Sequence, residues 1–225
     1  MSGAPLVKIC GLRDAQTAFA ISDFGLPVDY AGFIFAPSKR RVEPHEARSV
    51  MEAFRAQAPE FVGVFVNPLR DELDRVLAAA ALDVIQLHGD ETPAFCREVK
   101  ERYSRVKVWK ALGVRADEAH DDEAVSARLD PYADAVDAVL LDAWDPHVGG
   151  GTGNAFRWEV IPAYRAWADR KGIVLFIAGG LNADNVGDLL GRFPVGAVDV
   201  SSGVETDGRK DIEKIRKFTE RVKGK

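Results

Sequence analysis

Short apolar runs alternate with longer amphipathic stretches along the whole chain. The first run, residues 6–10, has the length of a strand. The stretch 13–24 that follows places Ala15, Ala18, Phe19 and Ile21 on one helical face, the 3.6-residue signature of an amphipathic helix. The alternation repeats to the end. Strands are expected at 30–35, 61–66, 84–87, 106–111, 138–141, 173–178 and 197–200. Helices are expected at 44–55, 69–81, 93–103, 116–129, 158–170, 182–190 and 211–223. Pro44 and Pro93 open two of them, where the missing N–H costs nothing.

That makes eight strand–helix pairs. The strands are apolar throughout, as parallel strands covered on both faces must be. Eight such units in one domain-sized chain predict an α/β fold, a single-domain (β/α)8 TIM barrel over residues 1–225 with a parallel eight-stranded barrel. A doubly wound open sheet shares the alternation, but eight strands leave no segment over for a second domain.

Composition adds exclusions. With 225 residues, 47% hydrophobic and 29% charged, the chain has globular balance. The net charge of −5 is spread out and no basic stripe appears, so no nucleic-acid partner is expected. The acid-rich stretch 115–134 reads as a solvated helix face. The start, MSGAPLVKICGL, has neither a signal-peptide core nor a membrane anchor, and no run approaches the roughly 20 residues that span a bilayer. Cys10 and Cys96 are far apart, which fits neither a disulfide scaffold nor a zinc site. A cytoplasmic protein in a reducing compartment is the expectation.

In a (β/α)8 barrel the chemistry lies at the carboxyl ends of the strands. The residues there are Cys10-Gly11, Ala36 through Arg41, Asn67, His88-Gly89-Asp90, Asp142, Gly179-Gly180 and Ser201-Ser202-Gly203. Small residues after the last two strands let backbone N–H groups approach an anion, and helix N-termini add positive charge. With the glycine-rich loop 149–153, they predict a phosphorylated ligand. Cys10 is either a buried core thiol or a functional one, and its place at the catalytic end favours the second. Asp142 precedes a long glycine-rich loop, so helix capping is the weaker reading. A thiol and a carboxylate across a barrel mouth can act as base and acid on one bound sugar. Arg40 and Arg41 offer a guanidinium to a substrate carboxylate. His88 either takes part in the chemistry or orients its loop. The histidines, at 45, 88, 120 and 147, are scattered, and no metal or cofactor is expected.

These motifs resemble, in order, those of the phosphoribosylanthranilate isomerase family. They are Lys8-Ile9-Cys10-Gly11, Gly32-Phe33-Ile34-Phe35 with Ser38-Lys39-Arg40, 61–67, Gln86-Leu87-His88-Gly89-Asp90-Glu91, Leu141-Asp142, 150–153, Ala178-Gly179-Gly180-Leu181 and 199–205. The resemblance covers nearly the whole chain. It implies a step of tryptophan biosynthesis, the Amadori rearrangement of N-(5-phosphoribosyl)anthranilate to 1-(2-carboxyphenylamino)-1-deoxyribulose 5-phosphate. It further implies Asp142 as general acid, Cys10 as general base and Arg40 for the anthranilate carboxylate, with Arg41 as the competing choice. His88 and Asp199 are the other expected substrate contacts, and Gly179, Gly180, Ser202 and Gly203 the phosphate cup. The expected partner is a small phosphorylated substrate, with the chain a monomer or homodimer.

Other readings stay open at this point. A metal-dependent epimerase needs His and Asp ligands at several strand ends, and only His88 fits. An indole-forming synthase is expected to place lysines and glutamates at the mouth, and Lys8 and Lys110 would supply the lysines if they point inward. A binding barrel without chemistry would not need both Cys10 and Asp142.

Overall fold

The computed structural model describes residues 3–55, 58–115, 121–143 and 158–224. Its strands are β1 (Leu6–Cys10), β2 (Tyr30–Ile34), β3 (Glu60–Phe65), β4 (Val84–Leu87), β5 (Lys107–Val114), β6 (Ala138–Ala143), β7 (Val174–Ile177) and β8 (Ala197–Val200). They pair in sequence order and close into a parallel barrel, with Leu6 of β1 opposite Ala197 of β8. Closure removes both sheet edges and excludes the open doubly wound sheet. Around it lie α1 (Ala15–Asp23), α2 (Pro44–Glu52), α3 (Arg70–Ala79), α4 (Pro93–Arg102), α5 (Asp122–Leu129), α6 (Ile161–Lys171), α7 (Val186–Arg192) and α8 (Ile212–Lys223).

Local chemistry sets where these helices begin. Asp14, Thr92 and Asp121 each accept the N–H of the residue three positions on, and Pro44 and Pro93 are first helical residues. The described part of the acid-rich stretch supplies such caps and pairs at Asp121, Asp130 and Asp134. Asp121 caps α5, Asp130 accepts from Trp167 Nε1 at 3.0 Å, and Asp134 accepts from Arg97. Residues 116–120 lie outside the described residues, so the expected start of that helix does too.

Three boundaries differ from expectation in ways that matter for the site. β5 runs on to Val114, pairing Gly113 with Asp142. Asp142 therefore lies within β6, held by the ladder, rather than just beyond a strand. The polar side chain does not interrupt the strand because the ladder uses only backbone groups. Trp158–Val160 is a 3₁₀ turn ahead of α6. Finally, α7 begins at Val186 and not at Asn182. Asn182 Oδ1 accepts from the N–H groups of Asp184 and Asn185, while Asn185 Oδ1 accepts from Asn182 N–H. Such side-chain-to-backbone bonds compete with helix and delay its start.

Alternation along the strands sorts residues to two cores. Val7, Ile9, Phe33, Phe65, Ile85, Leu112 and Leu141 point out against the helices. Val62, Val84, Trp109, Leu140, Phe176 and Ala197 point into the barrel. Tyr30, Trp109 and Phe176 close its amino end as a ring cluster, with centroids 4.5–5.6 Å apart. Above that plug the inward positions turn polar, and there the site begins.

Lys110 has the parity of Val108 and Leu112, so it faces the helices rather than the mouth. Its Nζ donates to the carbonyls of Leu87, Gly89 and Ala111 and pairs with buried Glu91 at 3.1 Å. Of the two lysines an indole-forming synthase would call on, only Lys8 reaches the interior.

Candidate active site

A cavity of about 420 Å³ opens at the carboxyl end of the barrel. Cys10 from β1, Arg40 from the loop after β2, Gln86 and His88 from β4 and the residue following it, Asp142 from β6, and Asp199 and Ser201 from β8 and its end all line it. Ile34, Val64 and Val66 give it an apolar flank. Five of the expected site residues, namely Cys10, Arg40, His88, Asp142 and Asp199, thus share one cavity.

At the floor, Lys8 Nζ donates to Asp199 Oδ1 at 3.1 Å, both side chains being buried. Lys8 lies under Cys10, and both side chains pack over Gly32, where an added Cβ would sit 3.0 Å from Cys10 Sγ and 3.3 Å from Lys8 Cε. Burial disfavours the Lys8 ammonium, but Asp199 and Cys10 outweigh it and hold its pKa above the usual value. Burial pushes the Cys10 thiol up, against the pull of Lys8 and Lys210. A thiol with a raised pKa is a strong base once ionised, and the neighbouring ammonium offsets the thiolate charge.

Across the mouth, Asp142 Oδ2 lies 3.4 Å from His88 Nε2. His88 is set by its loop. Its N–H donates to Phe65 O, Gly89 N–H and Asn67 N–H donate to Glu91, and Asp90 N–H donates to Asn67 Oδ1. The buried Lys110–Glu91 pair anchors that network from outside the barrel. The His88 ring lines the cavity beside Asp142, and the loop that carries it is held by backbone and Asn67–Glu91 bonds rather than by the ring.

The two adjacent arginines separate cleanly. Val42 N–H returns to Ile34 O, so the loop after β2 folds back on its own strand. Arg40, at 6% exposure, enters the cavity wall. Arg41 points to solvent and pairs with Glu43.

The glycine and serine loops after β7 and β8 meet each other. A Cβ on Gly203 would lie 1.8 Å from Leu181 O, so this approach is open to glycine alone. Gly179 and Gly180 have φ of 81° and 67°, and the N–H groups of Gly179, Gly180, Ser202 and Gly203 donate to no described residue. These are the amides expected to hold a phosphate, and none of them is taken up by a described partner. They lie beside the 420 Å³ cavity rather than in its wall, joined to it through Ser201. Because α7 starts late, these amides lie in loops and in the 3₁₀ turn Ser202–Val204, not at an α-helix terminus. The loop 149–153, also expected to contribute, lies outside the described residues.

Four residues of the site were given no role in the isomerisation from the sequence. Lys8 was named only as an inward lysine that an indole-forming synthase would use. Gln86 lines the cavity, and its buried Oε1 accepts no hydrogen bond among the described residues. Glu205 and Lys210 face each other in a two-strand hairpin, Glu205–Thr206 (β9) and Arg209–Lys210 (β10). Its signal was present: Asp207-Gly208 supplies two consecutive positive φ values, 50° and 73°, as a two-residue hairpin turn demands.

Among the described residues no group of three or more His, Cys, Asp and Glu side chains could hold a metal ion. Among them, too, no helix is long and apolar enough to cross a membrane.

The architecture defines a (β/α)8 barrel with its candidate site built from the carboxyl ends of the strands. The family model for N-(5′-phosphoribosyl)anthranilate isomerase matches residues 7–221, and the chain belongs to that family. It is 48% identical over 217 residues to N-(5′-phosphoribosyl)anthranilate isomerase of Brevibacillus brevis, covering 96% of this chain and 93% of the relative. Phosphoribosyl anthranilate isomerase of Thermotoga maritima superposes with a TM-score of 0.80 at 34% identity, over 98% of this chain and all of the other. A solved complex of a phosphoribosyl anthranilate isomerase with reduced 1-(o-carboxyphenylamino)-1-deoxyribulose 5-phosphate superposes with a TM-score of 0.77 at 32% identity, covering 98% of this chain and 100% of that one.

Proposed function

We propose that this protein isomerises N-(5-phosphoribosyl)anthranilate to 1-(2-carboxyphenylamino)-1-deoxyribulose 5-phosphate, a step in tryptophan biosynthesis, with Asp142 as acid and Cys10 as base. The observation that carries the reading is that a thiol and a carboxylate from β1 and β6 line one cavity, with a buried guanidinium in the same wall. Asp142 gives its proton to the furanose ring oxygen. The C1–O bond breaks, and the amine nitrogen's lone pair closes a C1=N Schiff base. The Cys10 thiolate then removes the C2 proton. That electron pair forms C1=C2 and neutralises the iminium, and the resulting enolamine becomes the ketone by moving the hydroxyl proton to C1.

The remaining residues hold the reactant. Arg40 takes the anthranilate carboxylate, because it is the arginine in the wall. The amides of Gly179, Gly180, Ser202 and Gly203 take the phosphate. His88 and Asp199 contact the sugar end, and Gln86 Oε1 accepts from a sugar hydroxyl or the bridging amine. Lys8 compensates the thiolate. Both cysteines are free thiols, in keeping with the cytoplasm as the working compartment.

The test is a fluorescence assay in which the substrate is generated in place from anthranilate and phosphoribosyl pyrophosphate and its decay followed. Wild type is expected to accelerate the decay. Cys10→Ser and Asp142→Asn are each expected to lower kcat by about 10²–10⁴. A folded wild type without effect sinks the assignment, and a fully active Cys10→Ser sinks the base.

A further inference from the structure

Three charged side chains meet at one edge of the mouth, and the reaction as written uses only one of them. Arg40 Nε donates to Glu205 Oε1 at 2.7 Å and Arg40 Nη2 to Glu205 Oε2 at 2.9 Å. Lys210 Nζ donates to the same Oε1 at 2.8 Å. All three side chains are 7% exposed or less. Two parallel bonds fix the plane of a guanidinium as well as its position. They also consume one edge of it and leave the other edge, both N–H groups of Nη1 and the second N–H of Nη2, donating to no described residue.

The cluster reaches the base as well. Lys210 Nζ donates to Ser201 O at 2.9 Å, and Ser201 Oγ donates to the carbonyl of Cys10 at 3.0 Å. Arg40 packs over the next residue: a Cβ on Gly11 would lie 2.8 Å from Arg40 Cδ. The hairpin that carries Glu205 and Lys210 is tied down by Arg13, whose Nη2 donates to Gly208 O at 2.6 Å and whose Nη1 donates to Lys39 O at 2.8 Å. Loops after β1, β2 and β8 are thereby joined at one point.

We propose that Glu205, seconded by Lys210, is a positioning residue: it locks the Arg40 guanidinium so that its free edge, Nη1 and the second N–H of Nη2, meets the substrate carboxylate at a fixed place relative to Cys10. This rests on the reading of Arg40 as the carboxylate-binding residue. A long arginine left unclamped samples many rotamers, and ordering it on binding would cost affinity. With the clamp, that ordering is done by the fold. The consequence is selectivity for anilines bearing an ortho carboxylate over anilines without one.

The experiment compares kcat and KM for the anthranilate-derived substrate and for the analogue made from aniline, in wild type, Glu205→Gln, Glu205→Asp and Arg40→Ala. Folding is checked by circular dichroism. Wild type should prefer the carboxylated substrate. Glu205→Gln should lose at least about tenfold of that preference, as expected for a charge-assisted contact, chiefly through KM, with kcat changed far less. Glu205→Asp should recover part of it. A folded Glu205→Gln enzyme that keeps the full preference overturns the clamp. Should Glu205→Gln fail to fold, Lys210→Gln carries the comparison: a smaller loss of preference in the same direction supports the clamp, and an unchanged preference overturns it. Arg40→Ala separates the two layers. If it keeps the preference, the carboxylate reading of Arg40 fails; if it loses the preference while Glu205→Gln keeps it, only the clamp fails.

Discussion

Lys8 and Asp199 are bonded to each other at 3.1 Å in the floor of the cavity, on neighbouring strands whose register sets them side by side. Lys8 is fully buried, and Asp199 nearly so. Removing one partner of a buried pair strands the other charge, which costs roughly 3–5 kcal/mol. Lys8→Met is accordingly expected to lower the free energy of urea unfolding by about that amount. An Asp199→Asn partner change on top of it should recover part of the loss, since it removes the stranded charge. An unaltered urea midpoint in Lys8→Met would show that the pair carries no such energy.

The same lysine controls the thiol above it. Burial pushes Cys10 up and Lys8 pulls it down. Cys96 is also pushed up by burial, to about 11, and is fully enclosed between helix and barrel. One reactive thiol is therefore expected in the native protein. Iodoacetamide should modify Cys10 slowly at neutral pH, with a rate that rises only at a pH more alkaline than an ordinary thiol needs. In Lys8→Met the rise should move to still higher pH, because a cation that favoured the thiolate has gone. Mass spectrometry of the labelled peptide checks both statements. Rapid labelling of wild type at pH 7 would contradict them.

Glycines in this chain do unlike things, and the structure tells them apart. Gly203 lies so close to Leu181 O that any Cβ forces the loops after β7 and β8 to separate. Gly203→Ala should weaken competitive inhibition by inorganic phosphate and destabilise the fold by about 1–3 kcal/mol. Gly191 lies exposed in α7 with no atom within 4 Å of an added Cβ. Gly191→Ala should instead stabilise by about 0.5–1 kcal/mol, the usual gain of alanine over glycine in a helix. Thermal melts of the two variants should shift in opposite directions.

How much of this the sequence disclosed depended on the kind of signal. Strand runs such as 6–10, 84–87 and 197–200 were legible to the residue, because burial on both faces leaves a continuous apolar run. Cys10, His88 and Asp142 were legible as mouth residues because they follow or end such runs, whereas Arg40 was preferred over Arg41 only through the family resemblance. Side-chain partnership was not. Lys8 and Asp199 are 191 positions apart, and only barrel closure makes them neighbours. Glu205 is separated from Arg40 by 165 positions. The late start of α7 was missed because Asn182 and Asn185 were read as the opening of a helix, whereas they bond to each other and to Gly180 O. Arg40 and Arg41 looked alike in sequence; what distinguishes them is the return of Val42 to Ile34, a loop geometry.

Acid should expose the Glu205 cluster. Burial alone would raise the Glu205 carboxyl, but hydrogen bonds from Arg40 and Lys210 outweigh it and lower it from 4.5 to about 2. A carboxyl depressed in the folded state is ionised there at a pH where the unfolded chain has already taken up a proton. The unfolded state thus binds more protons between the two values, and stability falls as the pH drops. The contribution is complete above pH 4.5 and lost progressively down to about pH 2, amounting to about 3 kcal/mol for a shift of this size. Glu205→Gln has no proton to take up, so its stability, lower at neutral pH because Arg40 and Lys210 lose their counter-charge, should fall less steeply over that range. Urea unfolding of the two proteins at steps from pH 6 to pH 2.5 measures the difference in slope. Parallel curves would show that Glu205 is not held ionised by the two cations, and that the bonds from Arg40 and Lys210 contribute nothing to its acidity.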